Sequence, residues 1–138
     1  MFRHIVLAIS LCFALQACVP LNQRLLDSEQ SQLQLRQIQS RVFDTTDREK
    51  TLRTVIATLQ DLGFVVDKAD LGLGTVTATK LDGYALRMTV SVYPRGDRQL
   101  VVRANGQFND QPVVDPAPYQ SFFSALSRAM FLTAHSLD

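Results

Sequence analysis

Few side chains in this sequence have the type and spacing that run a reaction. It has two histidines, His4 and His135. His4 falls in an N-terminal segment read below as removed, and from His135 alone, at the end of a helix, neither a Ser-His-Asp relay nor a multi-histidine zinc site can be argued. His135 reads as a surface residue or a helix-end cation. Asp67 with Asp70, and Asp110 with Asp115, are carboxylate pairs of the kind that does acid-base work. Each falls among turn formers, however, and reads as a turn or a cap. Gly72-x-Gly74 precedes a β-rich run rather than a helix, so it cannot offer a helix N-terminus to a phosphate. Arg95-Gly96-Asp97 follows Pro94 and reads as a turn, although the tripeptide matches an integrin-binding motif. Arg41, Asp44 and Arg48 crowd the start of a helix, either as a polar patch for a partner or as a solvated helix end. These readings lead to the expectation of no enzyme, no metal and no dissociable cofactor.

The composition is that of an ordinary globular domain. Of 138 residues, 46% are hydrophobic and 20% charged, which excludes a wholly disordered chain. The size fits one domain. The net charge of +1, from 14 basic and 13 acidic residues, lacks the basic surplus of a dedicated nucleic-acid binder.

The N-terminal residues carry an address. Arg3 and His4 precede residues 5–17, which are apolar except for Ser10 and Gln16. That run has the length of a signal-peptide core, short of the roughly 20 residues of a membrane-spanning helix. It ends in Leu15-Gln16-Ala17-Cys18. This sequence resembles the bacterial lipoprotein lipobox, with Leu at −3, a small residue at −1 and Cys at +1. Gln16 departs from the usual small residue at −2. The resemblance implies that residues 1–17 are removed and that Cys18 carries a diacylglyceryl group and an amide-linked acyl chain. Val19, rather than Asp, follows the cysteine, which by the same resemblance implies the periplasmic face of the outer membrane of a Gram-negative bacterium. The mature chain then has no free thiol, and its basic and acidic residues balance at 13 each.

Behind the anchor, residues 18–35 read as a polar tether, or else as a short amphipathic helix built on their leucines. Residues 36–138 read as one domain. Ile38, Ser40 and Val42 share one face of an expected first strand, 36–43. Thr46 and Glu49 have the spacing of a capping box. Leu52, Val55, Ile56, Leu59 and Leu62 then form one helical stripe that ends at Gly63, predicting a helix over 47–62. Strands are expected from Phe64, over 75–81, from Tyr84 and from Leu100, with hairpin turns at Asp82-Gly83 and Pro94 to Asp97. Tyr84, Leu86, Met88, Val90 and Val92 alternate with Ala85, Arg87, Thr89, Ser91 and Tyr93. Asp115-Pro116 opens a last helix, whose stripe runs through Tyr119, Phe122, Phe123, Leu126, Ala129 and Met130. The order β-α-β-β-β-β-α gives a two-layer α+β domain: an antiparallel sheet of four or five strands with two helices on one face.

Two further resemblances attach to these elements. Leu62-Gly63-Phe64 followed by Leu71-Gly72-Leu73-Gly74-Thr75-Val76 resembles the helix-grip modules of the accessory lipoprotein of outer-membrane β-barrel assembly (NlpB/BamC type). Arg41 to Thr45, Leu59 to Phe64, Tyr119 to Phe123 and Phe131 to His135 resemble motifs of small proteobacterial outer-membrane lipoproteins. The lipobox, the short tether, the missing catalytic constellation and the helix-grip resemblance lead to the expectation of a non-enzymatic accessory or assembly subunit of a cell-envelope complex, held to the membrane by lipid and contacting an envelope protein; the small-lipoprotein resemblance itself implies no particular activity. Arg87, Tyr93, Arg103, Phe131 and Leu132 are the candidate partner surface. The alternative is a carrier or sensor of a small apolar ligand, held in a groove lined by Tyr84, Leu86, Met88, Phe122, Phe123 and Met130.

Overall fold

The computed structural model describes residues 31–81 and 83–135, without the side chains of Thr133 and Ala134. The signal segment, Cys18, most of the expected tether and Asp82 of the hairpin turn lie outside the described residues. The domain described below begins at Leu35.

Residues 31–38 are helical (α1). Gln39 N–H still donates to Leu35 O, and Leu35 and Ile38 pack against the core. The expected strand over 36–43 therefore shrinks to β1, Ser40–Phe43. There follow α2 (Arg48–Asp61), β2 (Val65–Asp70), β3 (Thr75–Leu81), β4 (Ala85–Arg95), β5 (Gln99–Phe108), β6 (Gln111–Pro112) and α3 (Pro116–His135). The antiparallel sheet runs β1-β5-β4-β3-β2, and the two-residue β6 also pairs with β5. The expected two-layer α+β architecture is the one the chain adopts, with α1 and β6 as additions.

β4 and β5 alternate as the sequence predicts. Met88, Val90, Val92, Val102 and Ala104 are buried under the helices, while Arg87, Thr89, Tyr93 and Asn105 face away. From α2, Leu52, Val55 and Leu59 enter the core, and from α3 come Tyr119, Phe122, Phe123 and Leu126. The buried flank of α2 also carries Thr51, Thr54 and Thr58, which the apolar stripe does not mark. Each hydroxyl donates to the carbonyl four residues back, at 2.8–2.9 Å, so each is buried without an orphaned donor.

Three local readings change. The N-cap of α2 is Asp47 rather than Thr46: Asp47 Oδ1 accepts Lys50 N–H at 2.9 Å, and Asp47 N–H is held by Thr45 Oγ1. In β1, Ile38 belongs to the preceding helix, while Ser40 and Val42 pair with Arg103 and Val101 on the outer face. Arg41 lies instead on the helix side, opposite Val102. Its guanidinium sits 5.3 Å from the Phe123 ring centroid and donates to Ser127 Oγ. Finally, Asp110, expected in a loop, is held with Asn109 at positive φ in the tight β5–β6 turn.

Candidate functional site

Two side-chain clamps hold the sheet in register and so define its surfaces. Tyr119 Oη accepts from Gln39 Nε2 at 3.2 Å and from Gly106 N–H at 3.0 Å, and donates to Val113 O at 2.7 Å. One buried hydroxyl thereby ties α3 to the entry of β1, to β5 and to the segment after β6. At Gly106 an added Cβ would lie 3.1 Å from that oxygen. Arg48, at the start of α2, donates through Nε to Val92 O and through Nη2 to Gly72 O, latching the β2–β3 turn onto β4. Gly74 has φ +74°, and an added Cβ there would lie 2.6 Å from Val92 O and collide with the Arg48 guanidinium. The Gly72-x-Gly74 pair is thus a turn, as read from the sequence.

The two long margins of the sheet differ. The outer margin of β5 is occupied along its length. β1 pairs with Leu100–Arg103, Ala104 N–H donates to Gln39 O, Val113 N–H donates to Gly106 O, and β6 pairs with Gln107 and Phe108. The opposite margin is β2, whose register shifts between Val66 and Lys68. Asp67, Lys68 and Asp70 are placed there, and a bulge with charges is the common way a strand edge is kept from pairing with another chain.

Among the described residues, no helix packs on the outer face. The helices of the domain pack on the other face. The register lays out its cross-strand rows: Thr79, Arg87 and Gln107; Thr77, Thr89 and Asn105; Thr75, Ser91, Arg103 and Ser40; Tyr93, Val101 and Val42; then Arg95 and Gln99. Thr77 and Thr89 hydroxyls lie 3.3 Å apart. Among the described residues, the outward positions of β3, β4 and β5 hold no carboxylate. Arg87 and Arg103 have no ion-pair partner among those residues. Arg103 Nε is buried without an acceptor, a state that costs about 1–3 kcal/mol. Of the candidate partner residues, Arg87, Tyr93 and Arg103 therefore share this face. Phe131 and Leu132 are elsewhere, on the last turns of α3, at 62% and 67% exposure. Phe131 stacks on the ring of His135, 4.1 Å between centroids, and His135 Nδ1 lies 2.7 Å from Phe131 O.

The six candidate groove residues are split among three places. Met88, Phe122 and Phe123 are packed in the core, with Phe122 and Phe123 edge to face at 5.0 Å. Tyr84 and Leu86 line a cavity of about 270 Å³ between the end of α2 and the start of α3, with Lys80 and Asp115 at its rim. Met130 lines a separate groove of about 510 Å³, between Phe43 and the end of α3, which also holds Asp44, Asp47, Lys50 and His135. No cavity among the described residues is lined by all six. The inward stripe of β4 and the stripe of α3 fill the space between the layers with each other's side chains.

Three of the four carboxylates singled out for acid-base chemistry have structural partners, while Asp110 lines a cavity of about 220 Å³ with Arg87, Gln107 and Thr79. Asp67 Oδ2 accepts from Thr79 Oγ1 at 2.6 Å, Asp70 Oδ1 from Leu73 N–H, and Asp115 Oδ1 from Ala117 N–H. Asp97 sits in the β4–β5 turn after Gly96, whose φ is +62°. Asp44 accepts from Gln99 Nε2 at 2.6 Å, so Arg41, Asp44 and Arg48 each bond to a different element and do not form one patch. Sequence reasoning did not foresee the Tyr119 clamp, although the clash-prone Gly106 within a strand was its visible trace.

The chain matches no protein-family model and no curated protein.

Proposed function

We propose that this chain is a lipid-anchored envelope lipoprotein, non-enzymatic, whose domain serves as an accessory or assembly subunit of an envelope complex. The observation that supports the reading is the outer face of the sheet: among the described residues the helices pack on the other face, and the outer one carries polar side chains with Arg87, Arg95 and Arg103. The Leu15-Gln16-Ala17-Cys18 sequence supports the anchor, with Cys18 as the acylated residue. Several acyl chains at roughly 0.8 kcal/mol per buried CH₂ make such an anchor firm. Among the described residues no helix is long and apolar enough to cross a membrane.

In this reading the membrane is contacted through the lipid, and the protein partner through the sheet. In-cell crosslinking followed by purification through a C-terminal tag tests it. Recovery of an envelope complex in fixed stoichiometry supports the subunit role. Recovery of the protein alone overturns it and turns attention to copurifying lipids.

A further inference from the structure

We propose that one end of the sheet, formed by the β3–β4 turn, the β5–β6 turn and the run into α3, rests on the lipid surface that anchors Cys18. This orients the domain in the reading above and rests on its lipid anchor. Strand register gathers these segments: Leu81 pairs with Ala85, Leu86 with Phe108, and Phe108 with Gln111. Tyr84 and Asp115 line one cavity, which brings the start of α3 to the same place. Four apolar side chains stand exposed there. Leu81 is 82% and Val114 70% exposed, and the exposed Tyr84 and Phe108 meet edge to face, 4.7 Å between ring centroids. Exposed apolar clusters mark contacts with proteins or membranes. A tyrosine in such a cluster suits the boundary between headgroups and acyl chains, where its ring is dry and its hydroxyl wet.

The point where the chain enters the domain favours lipid as the occupant. Residues 18–35 span about 25 Å whether coiled or helical, so an acylated Cys18 keeps the domain beside the bilayer at high effective concentration. The domain begins at Leu35, one helical turn before Gln39. The Gln39 side chain meets Tyr119 Oη, and so does Gly106 N–H. Gly106 is two residues from Phe108 on β5, roughly 7 Å at strand spacing. Phe131, toward the other end of the domain, lies about 18 Å beyond Tyr119 along α3. That other end also exposes Leu71, Leu73 and Leu132. Its tip, however, is the β4–β5 turn with Arg95, Asp97 and Arg98, and charges there oppose entry into a lipid surface. At the proposed end the β3–β4 and β5–β6 turns each hold one acid, Asp82 and Asp110, and no base. No basic surplus draws that end to anionic lipid, so burial of its apolar side chains drives the contact.

The test places the acylated, isotope-labelled full chain in phosphatidylcholine nanodiscs that carry a headgroup spin label, and reads the broadening of its amides. Broadening is expected to be several-fold stronger at Gly83, Ala85 and Asn109 than at Gly72 and Gly96, and to withstand added salt. Leu81→Glu/Val114→Glu should abolish that contrast while keeping the melting curve, because both side chains are exposed. Leu71→Glu/Leu73→Glu, at the other end, should leave it intact. Equal broadening at both ends, stronger broadening at Gly72 and Gly96, or a contrast that survives Leu81→Glu/Val114→Glu overturns the proposal. So does a contrast that needs anionic lipid and vanishes with salt. Shifts of the same amides that grow with chain concentration in unlabelled discs would assign the patch to a second copy, and also overturn it. Intact mass and crosslinking separate the readings. A chain that carries no acyl group overturns the anchor and this orientation with it. An acylated chain without the contrast overturns the orientation alone. A contrast without a recovered envelope complex leaves the orientation standing and removes the subunit role.

Discussion

Tyr119 shows how much a single hydroxyl can hold. Removing it as Tyr119→Phe leaves Gly106 N–H and Val113 O without their partner in the core. The expected cost is about 2 kcal/mol in urea-induced unfolding, with the melting transition still cooperative. Gly74→Ala acts through the backbone: φ of +74° and the approach of Val92 O both oppose a Cβ. It should destabilise by about 2 kcal/mol, more than Arg48→Ala, which removes the latch but forces no strain. A smaller loss for Gly74→Ala than for Arg48→Ala would contradict the close packing of that turn. Neither clamp was legible as such. Tyr119 lies on an apolar stripe and looked like core, and nothing local tells that its hydroxyl reaches a glycine 13 residues away. Arg48 looked like part of a polar helix start, because its acceptors are backbone carbonyls contributed by elements distant in sequence.

The elements themselves were more readable, where periodicity and turn chemistry agree. The alternation in β4, the stripe of α3 and the Asp115-Pro116 start all report burial directly, because the sheet is wet on one side and dry on the other. What failed was decided by long-range pairing. The four-residue β1 has no pattern of its own, and Arg41 lies on its inner side because Phe123 and Ser127 receive it. The expected ligand groove failed to form as one space for a similar reason: residues that face each other across two layers pack together unless the layers are held apart. Substitutions on α3 should separate these roles. Phe123→Ala should cost about 3–5 kcal/mol by leaving a hole in the core, whereas Phe131→Ala and Leu132→Ala should fall within about 0.5 kcal/mol by thermal unfolding. At the start of α2, Asp47→Ala should cost about 1 kcal/mol and Asp47→Ser much less, since Ser restores the acceptor for Lys50 N–H. Equal losses for the two would show that the cap is not what Asp47 supplies.

For the whole molecule, the proposed function joins an acylated N-terminus to a domain whose described helices cover one face of its sheet. The N-terminal motif is contiguous and readable without a fold, whereas the make-up of the outer face emerged from the register of strands far apart in sequence. Cys18→Ser should move the chain from membrane to soluble fractions without altering the unfolding of the domain, because Cys18 precedes the unit that begins at Leu35. The most direct test of the central claim is intact-mass analysis of the chain extracted from membranes. The account predicts a chain beginning at Cys18, with its mass raised by one diacylglyceryl group and one amide-linked acyl group. An unmodified chain beginning at Met1, or one cut elsewhere and free of lipid, would contradict it.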